Sequence, residues 1–174
     1  MSLIYEKLRR KGSKMDKTKS AIGYILNSYP RSQEFSISRL TKMLYLCDWK
    51  SALQFDNQIS EITWEISYSG PFSRDIEDIL INDDVFIIYE GNFPDCGEVH
   101  LIKLRRPVST ELLSPNDKRV IDFVAKVTSD LKWDKFLEVV YSTFPILYEE
   151  RYKKINLIEL AKSYNSKRRN LVLA

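Results

Sequence analysis

The 174-residue chain is 44% hydrophobic and 12% aromatic, enough to bury a sizeable core and to exclude global disorder. Its apolar runs fall far short of the roughly 20 residues that span a bilayer. An apolar segment ending at a small-residue cleavage site is missing from the N-terminal residues, and two cysteines do not make a disulfide framework, so a cytoplasmic location is expected.

The net charge of +3 is unevenly spread. Residues 1–19 hold seven Lys/Arg against two acids, and residues 151–174 hold seven against one. Positions 20–150 keep 13 basic and 21 acidic residues, a net of −8. A basic total therefore does not imply a nucleic-acid surface on the folded body. Residues 1–15 are expected to be a flexible basic segment, 16–165 a single domain, and 166–174 a basic and apolar tail.

In chain order, Asp16 is placed to cap a first helix whose Ile22, Ile25, Leu26 and Tyr29 form a stripe ending before Pro30. Ser36 or Ser38 then caps a helix over Ser38–Leu53, which lacks Gly and Pro. Leu40, Met43, Leu44, Leu46 and Cys47 follow helical spacing on one side; Tyr45, Trp49 and Leu53 line another. Apolar residues on most faces predict a helix packed on all sides, with Arg39, Lys42, Asp48 and Lys50 as a narrow wet edge. Cys47 reads as a small buried hydrophobe.

From Ile62 to Ser69 the period changes to two, predicting a half-buried strand with Ile62, Trp64, Ile66 and Tyr68 inward. Gly70, able to take positive φ, and Pro71 are expected to turn the chain into a helix capped by Ser73. Phe72, Ile76, Ile79 and Leu80 form its inner face, with Asp75 near its positive end. Val85–Glu90 and Val99–Leu104 read as a hairpin with a long turn over 91–98 that contains Cys96. Ser114-Pro115 starts a helix buried through Val120, Phe123, Val124 and Val127. Trp133, Phe136, Leu137, Val140, Tyr141 and Phe144 mark another, stopped by Pro145. Asn156 and Glu159 cap a last helix that buries Leu157, Leu160 and Tyr164. This order predicts a mainly helical α+β single domain around a buried central helix, with a small antiparallel sheet or hairpin.

Chemistry is sparsely represented. His100 is the sole histidine, and one His with two distant Cys cannot build a paired zinc site. Asp83-Asp84 reads as a solvated turn. Neither phosphate-binding glycine pattern nor a Gly-x-Ser-x-Gly elbow is present. No catalytic residue, metal or cofactor is therefore assigned. Element order alone also fits a winged-helix-like module, with residues 73–82 as recognition helix and the following hairpin as wing. Asp75, Glu77 and Asp78 against Arg74 would repel phosphates at that helix. Lys167, Arg168 and Arg169 are the candidate nucleic-acid contact, read more simply as favourable charge at a helix C-terminus.

Three segments together resemble a known family. Leu40-x-x-Met43-Leu44-Tyr45-Leu46-x-Asp48-Trp49, the extended stretch from Trp64, and Gly70-Pro71-Phe72 are similar to the Panacea domain of SocA-like antitoxins and phage-associated proteins. Val140-Tyr-Ser-Thr-Phe-Pro-Ile146 and Leu157-Ile-x-Leu-Ala161 resemble its C-terminal part, so the likeness spans roughly residues 17–165. The family often carries an aromatic or histidine directly before Gly-Pro; here Ser69 stands there, with Tyr68 one earlier. The resemblance implies a bacterial or phage protein that neutralises a toxin encoded beside it by binding, directly or by delivery to a protease or chaperone. It implies structural roles for Leu40, Leu44, Tyr45, Asp48, Trp49, Trp64, Gly70 and Pro71. Phe72 and Arg74, beside the Gly-Pro corner, are the candidate partner contacts.

Overall fold

The computed structural model of the chain describes residues 3–30, 35–93 and 97–172, with side chains for 15–30, 35–91 and 98–170. Its axis is α2, Ile37–Phe55. Ser36 supplies the N-cap, its hydroxyl accepting from Arg39 N at 3.1 Å, which settles the choice between Ser36 and Ser38. The helix ends on Asp56 in the left-handed region, φ 53°. Leu40, Met43, Leu44, Tyr45 and Cys47 are fully buried, as their spacing predicts.

The expected wet edge is half wrong. Lys42 and Asp48 are buried, while Arg39 and Lys50 are half-buried. Polar type misleads here because neighbouring segments supply hydrogen-bond partners that let these side chains leave water.

Around α2 packs α1, Leu3–Ser28, through Ile22, Ile25 and Leu26. Asp16 lies inside this helix rather than capping it. Residues 3–15 include seven Leu, Lys and Arg, good helix formers, and the helix runs on through Gly12 and Ser13 rather than starting at Asp16. Lys17 pairs with Asp117 at 3.3 Å and Lys19 pairs with Asp83, joining α1 to two other parts of the fold.

The expected strand is shorter than its alternation suggests. β1, Trp64–Ser67, buries Trp64 and Ile66, but Tyr68 is 78% exposed in the turn. Gly70 takes φ +96°, as expected. Gly70–Phe72 is however a strand, β2, folded back on β1 with Ser67 opposite Gly70, rather than a direct turn into a helix. β5, Lys154–Ile155, completes an antiparallel sheet in the order β2-β1-β5.

Ser73 stands at the N-cap of α3, Arg74–Asn82, but its hydroxyl makes no capping bond. Asp75 instead accepts from Thr63 N at 3.1 Å, tying the helix to the approach of β1. β3, Phe86–Phe93, and β4, Gly97–Leu104, form an eight-pair hairpin, longer than predicted and with a shorter turn; Cys96 lies outside the described residues. Ile102 N donates to Phe35 O at 2.9 Å, so the residues before α2 cover part of the free edge of β4.

α4, Pro115–Thr128, opens with a capping box between Ser114 and Asp117. Val120 and Val124 are buried, whereas Phe123 and Val127 are each 48% exposed, correcting their predicted inward placement. Ile121 and Ala125 fill that side instead, and the Lys50 ammonium lies 3.9 Å from the Phe123 ring centre.

α5 runs Trp133–Tyr141, and Phe144–Tyr148 form a separate short helix, α6. Pro145 sits in the first turn of α6 rather than stopping α5, a position where its missing N–H costs nothing. α7, Leu157–Val172, begins at Asn156, whose side-chain oxygen accepts from Ile158 N and Glu159 N. The chain is a mainly helical α+β single domain, and among the described residues no helix is long and apolar enough to cross a membrane.

Candidate docking groove

The residues that carry the resemblance sit in the interior. The Tyr45 and Trp64 rings meet edge to face at 5.5 Å, and Tyr45 Oη shares a 2.8 Å hydrogen bond with Thr143 Oγ1. Asp48 Oδ2 accepts from Trp64 Nε1 at 2.8 Å, and Oδ1 accepts from Ser60 N at 2.8 Å. The Ser60 hydroxyl also donates to Asp48. Burial lifts the Asp48 pKa to about 6, a rise that the bonds from Ser60 and Trp64 oppose. Leu40 and Leu44 are fully buried and Trp49 is 7% exposed against Tyr164.

Other interior groups are equally closed to solvent. Burial pushes the Cys47 thiol well up, with the Asp48 charge adding to it. It pushes the Lys42 amine down; Lys42 Nζ donates to Ser38 Oγ at 3.3 Å. The predicted partner contacts differ from each other: Phe72 is half-buried on β2 and Arg74 is exposed at the start of α3. Lys167, Arg168 and Arg169 are exposed on α7, which continues past them to Val172, and Lys167 Nζ lies 4.3 Å from the Tyr148 ring centre.

A groove of about 700 Å3 lies where the first turn of α2 meets α3, the β3–β4 hairpin and the α4–α5 turn. Leu80 and Leu101 form its buried side, 3% and 5% exposed. Its rim is apolar and stands in water: Ile81 is 74% exposed, Trp133 37% and Ile88 36%. Ile81 does not belong to the buried stripe of Ile76, Ile79 and Leu80, so α3 presents an isoleucine to solvent for which the core gives no reason.

Arg39 fixes this wall. Its Nη1 donates to Tyr29 Oη at 2.6 Å and its Nη2 to Leu131 O at 3.1 Å. The guanidinium lies 4.5 Å from the Phe136 ring centre and 5.8 Å from those of Tyr29 and Trp133. Tyr29 Oη in turn donates to Thr128 O. One arginine therefore holds α1, α2 and the α4–α5 turn in register, and the groove stands ready-formed.

Sequence reading missed the groove because its apolar residues come from separate elements with no common spacing. The one local signal was Ile81, an apolar residue displaced from its helix's inward face.

A buried central helix, a small antiparallel sheet and an apolar groove define a mainly helical α+β domain. The chain belongs to the antitoxin SocA-like, Panacea domain family, whose profile matches residues 40–144. That span runs from the first turn of α2 into α6 and contains the Asp48–Trp64 pair and the groove walls contributed by α3, the hairpin and the α4–α5 turn. The α2 residues that line the groove, Ile37, Ser38 and Arg39, lie just before it. Comparison with curated proteins gives no match, and neither does comparison with solved structures.

Proposed function

We propose that this protein is a non-catalytic antitoxin that neutralises a toxin encoded beside it by direct binding, with the groove at the start of α2 as the docking surface. Membership of an antitoxin family supports the biological role. The observation that carries the docking site is the exposed apolar rim of Ile81, Ile88 and Trp133 over a groove already held open by Arg39. Apolar surface of this kind costs free energy in water and is regained when a partner covers it.

Side-chain chemistry supports binding over turnover. His100 lines the groove, yet among the described residues it makes no hydrogen bond to a serine or cysteine that it could activate. Cys47 is buried and held as a thiol. The acidic exposed face of α3 likewise favours a protein partner over a nucleic-acid one at that helix.

The test is a pull-down of the protein encoded by the adjacent reading frame. Wild type should retain it and Ile81→Glu should not, with both variants equally stable because Ile81 is largely in water. Retention by Ile81→Glu at wild-type affinity would place the docking surface elsewhere. Neutralisation by delivery to a protease is separated by growth rescue in a host lacking that protease, where rescue would be lost even though binding is intact.

A further inference from the structure

We infer that the groove accepts a basic amphipathic helix of its partner, apolar side chains seated between Ile81, Ile88 and Trp133 and lysines or arginines facing an acidic rim. This deepens the docking reading above and rests on it.

Charge around the groove is one-sided. Arg74, Glu77, Asp78 and Ile81 share one stripe of α3, at helical spacing, and Glu77 and Ile81 both line the groove. In the hairpin, Ile88 pairs with Ile102 and Glu90 pairs with His100. Positions two apart share a face of a strand, so Glu90 stands beyond Ile88, directly across from His100, with Glu98 next along β4. All four carboxylates, Glu77, Asp78, Glu90 and Glu98, are exposed, and among the described residues none forms an ion pair. On the third side Asp130 and Asp134 flank the Leu131–Trp133 segment, with Lys132 between them. Among the described residues of these rim segments the exposed cations are Arg74, Lys132 and Lys103. Lys103 stands opposite Ile87, out of register with Ile88, with its ammonium 5.1 Å from the Tyr89 ring centre. Arg39 is engaged with Tyr29, Leu131 and the rings.

Two features select the occupant. A volume of about 700 Å3 suits several apolar side chains, but the rim residues stand out from it into water, beyond what a small ligand would cover. A helix presenting anchors at i, i+3, i+4 and i+7 reaches both groove and rim at once. The carboxylates then meet cations on its flanks, steering association and rejecting acidic segments.

The experiment uses the full chain and synthetic amphipathic helices with one leucine face and a polar face of lysine or of glutamate, followed by fluorescence anisotropy. The lysine peptide should bind, and weaken by at least about tenfold between roughly 50 and 300 mM NaCl. It should lose binding with Ile81→Glu. Glu77→Lys with Glu90→Lys should weaken it by about tenfold and improve the glutamate peptide. Equal or better binding of the glutamate peptide by wild type, or no binding of either, overturns the inference. So does a wild-type dimer in sedimentation that Ile81→Glu makes monomeric, since the occupant would then be a second copy. If the lysine peptide binds as stated but Ile81→Glu still captures and neutralises the adjacent toxin, the docking reading falls while the groove's ligand chemistry stands.

Discussion

Trp64 donates its indole N–H to Asp48 Oδ2 at 2.8 Å, joining β1 to the middle of α2 in the interior of the protein. Both residues lie inside the family match, and together with Ser60 they hold the segment between helix and sheet. Asp48 provides the acceptors for an indole, a hydroxyl and a backbone amide that would otherwise be buried unsatisfied.

This arrangement has a pH signature. The unfolded chain loses the Asp48 proton near pH 4, as an ordinary Asp does, whereas the folded chain holds it to about 6. The folded state binds the extra proton between those values, so the Asp48 contribution to stability falls as pH rises from about 4 to about 6. Asp48→Asn should abolish that falling limb. Because an amide offers one acceptor oxygen and adds an N–H group facing donors, it should also lower overall stability by about 1–3 kcal/mol. Chemical denaturation of both proteins across this range checks it. An identical pH dependence of the two would show that Asp48 does not titrate there.

Gly70 carries a double constraint. At φ +96° any side chain is strained, and a Cβ would sit 2.7 Å from Tyr141 Cε1. Tyr141 Oη also donates to Ser69 O at 2.9 Å, holding the turn. Gly70→Ala should cost at least about 1–3 kcal/mol. In a double-mutant cycle, Tyr141→Leu should relieve the clash but leave the backbone strain, so rescue is partial. Complete recovery in the double variant would mean the backbone conformation costs nothing.

Burial on α2 separates two residues that look alike in no respect but position. Leu44→Ala should cost about 2–5 kcal/mol, since Leu44 is fully buried. Lys42 reads from sequence as a wet-edge residue whose loss is nearly free, but it is 4% exposed with Ser38 Oγ as its hydrogen-bond partner. Lys42→Met keeps the length and removes a buried amine, so stability at neutral pH should hold or rise. A loss of more than about 1 kcal/mol would show that the ammonium is better satisfied than one hydrogen bond implies.

Much of this fold can be read from periodicity. α2, the buried faces of α1 and α3, the Ser114-Pro115 start and the Asn156 cap follow from local rules that tertiary packing leaves intact. The failures share a cause. Asp48 and Lys42 were assigned by residue type, and only partners distant in sequence make their burial tolerable. Tyr68 continues an alternation that the tight turn to Gly70 cuts short, and Phe123 fits the spacing of α4 while Ile121 and Ala125 take the interior. Neither Phe72 nor Arg74, the expected partner contacts, lines the groove. Trp133 and the Arg39 clamp could not be found without the topology that brings four segments together.

The basic end of α7 gives a negative prediction. Lys167, Arg168 and Arg169 are exposed in its last turns, where positive charge meets the helix dipole. Replacing all three by Gln should leave growth rescue unchanged, and wild type should not retain DNA or RNA at about 150 mM salt. Tight binding at that salt that disappears in the triple variant would assign these residues to a nucleic acid.

Neutralisation by docking at the groove is tested most directly by growth rescue on co-expression with the adjacent toxin, paired with the affinity between the two purified proteins. Ile81→Glu and Leu147→Glu make a matched pair, since the residues are 74% and 73% exposed and only Ile81 lines the groove. The account predicts that Ile81→Glu weakens affinity by at least about tenfold and loses rescue in proportion, while Leu147→Glu, and His100 and Cys47 replaced by residues of similar size, behave as wild type. Full rescue by Ile81→Glu, or a folded His100 or Cys47 variant that binds the toxin yet fails to rescue, would contradict it.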